Sequence, residues 1–259
     1  DREYMKHERD EFRFFGFYLI VLGVLIGLDY AANLVTFYVF YEMMTLTSLP
    51  LVLHELTKEA VMAGLKYLYY SVAGAFLALF GIFVIAHYAT TLTFTPGGVL
   101  DGTALAGHEG LLLVVVFCMI VGFGTKAGMF PMHGWLPTAH PVAPAPASAL
   151  LSGILTKVGV FGIAVVSCNI FLHDASWGGL ILMLGVVTMF GGALLALFSV
   201  DLKRTLACSS MSQIGFILVG MGMQGILGEE NALAVRGTLL HMVNHSLIKL
   251  VLFMAAGVV

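Results

Sequence analysis

Residues 123–163 read FGTKAGMFPMHGWLPTAHPVAPAPASALLSGILTKVGVFGI, and this stretch decides the fold. It leaves one apolar run, breaks in a proline-rich passage and resumes as a second apolar run. The passage from Pro131 to Pro146 is too polar and too often interrupted by proline to be a plain membrane span. Gly124, Gly128 and Pro131 interrupt the preceding run, so a helix that breaks at membrane depth is expected. Proline is tolerated in a first helical turn, which makes Pro146 a sensible start for the next helix.

The flanks extend the same pattern. Of the 259 residues, 59% are hydrophobic and 10% charged. A mean hydropathy of +0.98 excludes an ordinary soluble domain. Near-continuous apolar runs with glycine interruptions favour helices over a β-barrel, whose strands alternate with period two. The fold class is therefore all-α, a polytopic membrane bundle of eight helices with one broken. The spans are expected near 12–28, 32–53, 62–88, 110–130, 146–171, 177–199, 205–224 and 232–259. The chain reads as a single membrane domain, and as an internal piece of a longer protein. The net charge of −3 and the lack of a basic patch give no sign of nucleic-acid binding. Cys118, Cys168 and Cys208 are isolated in apolar runs and read as core thiols, with no metal or cluster spacing. No cofactor is expected.

Basic residues set an orientation. With the N-terminal end cytoplasmic, that side receives Arg2, Lys6, Arg9, Arg13, Lys58, Lys203 and Arg204. The opposite side receives Arg236 with Asp101, Glu109, Asp174, Glu229 and Glu230. This asymmetry follows the positive-inside rule, provided the broken region crosses the membrane once as a whole.

Five ionisable side chains stay inside apolar runs: Glu42, Lys66, Lys126, Lys157 and Lys249. A charge near the middle of a membrane helix costs about 2.5–3.5 kcal/mol, so such groups are paired or wetted along an ion path. Glu42 is the one acidic residue in mid-span; it is either functional or a neutral acid bonded to a neighbour such as Thr45. Lys126 stands beside the expected break, where freed carbonyls and water would hold an ammonium, or where it merely caps the helix. Lys157 is too deep to snorkel. Lys66 lies nearer an interface, with Tyr67, Tyr69 and Tyr70 as an aromatic belt.

His241, His245 and Lys249 are spaced by four and share one drifting helical face, which suits a water-bridged proton relay. The alternatives are a packed core or a two-histidine metal site, though no third ligand is evident. His133 and His140 in the proline-rich passage are accessory candidates. The letters GMGMQG end a hydrophobic helix instead of joining a strand to one, so they carry no dinucleotide meaning.

Four ordered blocks resemble the antiporter-like, proton-conducting membrane subunits of respiratory complex I, Mrp sodium/proton antiporters and energy-converting membrane hydrogenases. They are NLVTFYVFYEMMTLTSLPLVL, the opening stretch, DLKRTLACSSMSQIGFILVGMG and LLHMVNHSLIKLVLFMAAG. The resemblance implies that Glu42 is the family's essential glutamate and Lys126 the broken-helix lysine with which it pairs. It makes Lys157 the lysine of the following helix and Lys203 that of the second half-channel. His241, His245 and Lys249 fall on the connecting helix. It further implies two inverted five-helix repeats, the first over 12–171 and the second beginning over 177–259. The implied function is proton translocation in a redox-driven complex of the NADH:quinone oxidoreductase or hydrogenase type. Antiporter-like paralogues and a redox module would be partners in a prokaryotic cytoplasmic membrane. The alternatives are an Mrp-type subunit that also couples sodium, and a non-conducting structural subunit.

Overall fold

The computed structural model describes residues 2–6, 8, 10–95, 98–170 and 175–258. Arg9 and Asp174, used above for orientation, lie outside the described residues, as do positions 171 and 259 at two expected span ends. The same holds for the side chains of Arg2 and Glu109. The described chain is helical, with isolated bridges and no strand. Eight helices are long and apolar enough to cross a membrane. They are α1 (Glu11–Asp29), α2 (Leu34–Val52), α3 (Lys58–Tyr88), α4 (Glu109–Ala127), α6 (Ala145–Ile170), α7 (Ala175–Leu197), α8 (Leu202–Leu227) and α9 (Ala232–Ala256). The short α5 (Leu136–Val142) lies between α4 and α6.

Several helices begin at polar caps that hydropathy does not register. The Asn33 side chain accepts from Thr36 N at 2.8 Å, and Thr57 Oγ1 from Ala60 N at 3.1 Å. Asp201 accepts from Arg204 N at 2.7 Å, which starts α8 at Leu202, ahead of the expected 205. Lys203 consequently sits in the first turn of a helix and not in a loop.

The break is narrower than the sequence suggests. Gly124 lies within unbroken helix, where an added Cβ would meet the Met129 side chain. Pro131 lies in the loop beyond. Gly128 alone ends α4, with φ 80 in the left-handed region that favours glycine. Its N–H and that of Met129 close on the carbonyls of Thr125 and Gly124 at 3.1 and 2.8 Å. The Trp135 indole also donates to Thr125 O, at 2.7 Å. The carbonyls of Gly124 and Thr125 at this break are thus satisfied by the chain itself. Pro146 falls in the first turn of α6, as expected.

Helix α6 is the enclosed centre of the bundle, with 78% of its apolar window buried against 17% for α9. Close approach at glycines seats it and its neighbours. A Cβ on Gly122 would come within 2.6 Å of Gly74 O across α3 and α4, and Gly159 lies against the backbone of Phe123 and Ala127. Two π-turns, Leu151–Leu155 and Val166–Ile170, interrupt α6.

Candidate functional site

Lys126, in the last turn of α4, is fully buried. Its ammonium donates to Thr45 Oγ1 at 2.6 Å, Ser71 Oγ at 3.2 Å and Tyr67 OH at 3.4 Å. The faces of Tyr41 and Tyr67 stand 5.3 and 5.2 Å from Nζ. Neutral groups from α2 and α3 therefore hold the cation, in place of the carbonyls expected from its own broken helix. Tyr67, read from sequence as part of an aromatic belt, is a fully buried wall of this cage. Its hydroxyl also pairs with Ser48 Oγ at 2.7 Å.

Glu42, one turn before Thr45 on α2, is half-buried. Among the described residues no ion pair joins it to Lys126, although each charge acts on the other. Its Oε1 is buried without a hydrogen-bond partner. Thr45 does not bond it; that hydroxyl faces Tyr41 O at 3.5 Å and the ammonium.

A second cluster links α6, α8 and α9. Lys157 Nζ donates to Ser152 O at 2.8 Å, inside the first π-turn. Lys249 Nζ donates to Leu206 O at 3.1 Å and Ser209 Oγ at 3.0 Å. Lys203 Nζ donates to Ala143 O at 3.1 Å, between α5 and α6. Again the lysine contacts are to neutral oxygens.

The histidines lie along the same course. His245 is buried, and Lys157, Lys249 and His241 all act on it electrostatically. Its ring lies 6.5 Å from that of His241, too far for a direct hydrogen bond. His140 is fully buried, stacks on Phe253 at 4.7 Å and feels both Lys249 and Lys203. Both ring nitrogens of His140 and His245 are buried without hydrogen-bond partners, as are His133 Nδ1 and His241 Nε2. Buried polar atoms are ordinarily bonded, so the unpartnered ring nitrogens of His140 and His245 beside these lysines are a feature of the site. Lys66 stands apart from this course, lining a groove of about 800 Å³ with Glu59, Asp201, Arg204 and Pro137.

These charges sit in helices that match a known group. The family model described as NADH:quinone oxidoreductase/Mrp antiporter, TM covers residues 31–259. The chain belongs to this family. The relatives include Hydrogenase-4 component B of Escherichia coli K12, 36% identical across 94% of this chain and 37% of that protein. They also include a component of the Na(+)/H(+) antiporter of Alkalihalophilus pseudofirmus OF4, 33% identical across 96% of this chain and 49% of that protein. The chain thus spans less than half the length of these two curated relatives. The fold superposes on the Mrp complex from Dietzia sp. DQ12-45-1b with a TM-score of 0.81, at 24% identity, covering 93% of this chain and 44% of that one.

This antiporter-family chain is a multi-pass integral membrane protein. The sequence shows the lysines, the glutamate and the histidines as ionisable groups in apolar runs, but not the hydroxyls that hold Lys126 and Lys249. Ser71 and Ser209 are ordinary letters in apolar runs, and Thr45 stands out only as a neighbour of Glu42. One signal was present: Tyr67 and Ser71 are spaced by four on α3 and so share a face.

Proposed function

We propose that this chain is the core of a proton-translocating, antiporter-like subunit in a redox-driven membrane complex of the quinone-oxidoreductase or hydrogenase type. The observation that carries the reading is Lys126, fully buried and held by hydroxyls and rings with no carboxylate in contact. An ammonium so placed depends on the nearby Glu42 for electrostatic support. Movement of that carboxylate towards Lys126 holds the proton, and movement away releases it. The course onward runs through Lys157, His245 and Lys249, with His241, His140 and Lys203 beside it and His133 and Lys66 as accessory groups. Redox chemistry would belong to partner subunits, which would include antiporter-like paralogues and a redox module. The setting would be a prokaryotic cytoplasmic membrane, with the N-terminal end of the chain on the cytoplasmic side. Residues 12–171 would form one five-helix repeat and 177–259 the start of another.

The likeness to a sodium/proton antiporter component supports a second reading, in which the same groups exchange sodium for protons. Proton flux in liposomes that depends strictly on a sodium gradient decides for it. The main reading is tested with Lys126→Ala and Glu42→Ala in the full-length subunit within its assembled complex. Proton flux is expected to fall at least tenfold in each, on the order of 1.4 kcal/mol or more in the barrier. Wild-type flux in both ends the reading.

A further inference from the structure

Two buried hydroxyls that the proposed course does not use lie between its central lysines. Ser152 on α6 and Ser210 on α8 are fully buried, and their Oγ atoms are 2.7 Å apart with either able to donate. Ser152 O accepts from Lys157 Nζ at 2.8 Å and from Thr156 Oγ1 at 2.9 Å. Ser210 Oγ donates to Leu206 O at 2.9 Å, the oxygen that also accepts from Lys249 Nζ at 3.1 Å. Each of these helical carbonyls thus accepts from one hydroxyl and one ammonium in addition to its place in the helix. Hydrogen bonds therefore run from Lys249 through Leu206 O and Ser210 to the Ser152 hydroxyl, across the interface between α6 and α8. The backbone of Ser152 itself joins that hydroxyl to the carbonyl that holds Lys157.

Serines within helices usually satisfy themselves on a carbonyl four residues back. Ser210 does so, whereas Ser152 spends its hydroxyl across the interface. The direction of that bond responds to charge, because an O–H dipole turns its hydrogen away from a neighbouring cation. An ammonium at Lys157 favours Ser152 donating to Ser210, and Ser210 to Leu206. An ammonium at Lys249 favours the reverse, with Ser210 donating to Ser152. Charge on both lysines sets the two preferences against each other.

We propose that the Ser152–Ser210 pair is a positioning element that couples the two lysines, so that a proton gained at Lys249 is matched by one lost at Lys157. The hydroxyl hydrogens rotate and stay on their own oxygens; the transported proton leaves one amine as another arrives at the second. This inference rests on the proton-translocating reading above.

The experiment measures proton flux per turnover for Ser152→Ala, Ser210→Ala and the double variant, in the full-length subunit within its reconstituted complex. Each single variant is expected to lose roughly threefold or more in flux, and the double no more than the worse single, as for residues acting as a unit. Ser152→Thr and Ser210→Thr, which keep the hydroxyl, should restore most of the loss. Normal flux per assembled complex in the alanine variants, or multiplying losses without threonine rescue, overturns the proposal. If the alanine variants do not assemble, Ser152→Cys and Ser210→Cys, similar in size but weak donors, are judged by the same criteria. Loss in Lys126→Ala with normal flux in the serine variants overturns the coupling alone; normal flux in all of them removes the translocation reading as well.

Discussion

Replacing Lys126 by methionine is expected to remove proton flux without loosening the bundle. The ammonium has no anion in contact, so its removal breaks no ion pair, and Glu42, which loses a nearby cation, is only half-buried. Tyr67 keeps its 2.7 Å bond to Ser48, and methionine fills a similar volume. Exchanging a buried charge for a packed apolar side chain is often neutral or stabilising. The full-length complex should therefore melt within a few degrees of wild type while its flux is lost. A variant that keeps its flux but melts well below wild type would assign Lys126 to structure alone. The burial of this lysine was legible in the sequence, since it stands in an apolar run. Its partners were not, because Thr45, Tyr67 and Ser71 come from two other helices and only the packing of α2, α3 and α4 brings them together. Glu42 stands out in the sequence as a mid-span carboxylate, but the suggested bond to Thr45 is absent, since that hydroxyl donates to Tyr41 O and accepts from the ammonium.

At the scale of elements, the eight spans and the break were visible in hydropathy and proline, whereas the cause of the break was not. Three residues, Gly124, Gly128 and Pro131, competed for it in the sequence. Gly128 decides it, because its left-handed φ of 80 lets two amides close on the helix end. Gly128→Ala is expected to cost about 1–2 kcal/mol, the penalty of placing a Cβ in that conformation. It should also displace Lys126 two residues earlier, lowering flux as well as melting temperature. Gly124→Ala, in continuous helix and nearest to the flexible end of the Met129 side chain, should cost under about 1 kcal/mol. Thermal melting and flux of the two variants side by side check this. Equal losses from both would mean that the helix end does not depend on glycine at position 128. The two π-turns of α6 left no trace in composition, and one of them supplies the carbonyl that Lys157 uses.

The whole molecule gives the charge asymmetry a spatial meaning. At one end, Arg13 donates to His54 O at 2.8 Å, tying the start of α1 to the close of α2. The groove lined by Glu59, Lys66, Asp201 and Arg204 brings the starts of α3 and α8 to that same style of polar rim beside α5. Lys203 at the start of α8 feels Glu55 and Glu8, which lie by Arg13 in a neighbouring cleft, so these rims form one end of the bundle. At the opposite end of α2 and α3, Leu34 N bonds Leu92 O at 3.0 Å, and Asp101 caps a short turn through Thr103. The Thr103 hydroxyl, followed by the Thr103 and Ala104 amides, holds the Asp101 carboxyl below the usual carboxylate range. The basic end also carries Glu8, Glu55, Glu59 and Asp201, so net charge alone would not orient the chain; the rule counts lysine and arginine. Cysteines placed at Lys58 and at Thr103, in a full-length background without accessible native cysteines, should therefore react with a membrane-impermeant maleimide from opposite sides. The cysteine at 58 should label in inside-out vesicles and that at 103 in intact cells. Labelling of both from one side would mean that α3 does not cross. The reverse pattern would keep the eight crossings and invert the orientation of the proposed course from Glu42 to Lys249.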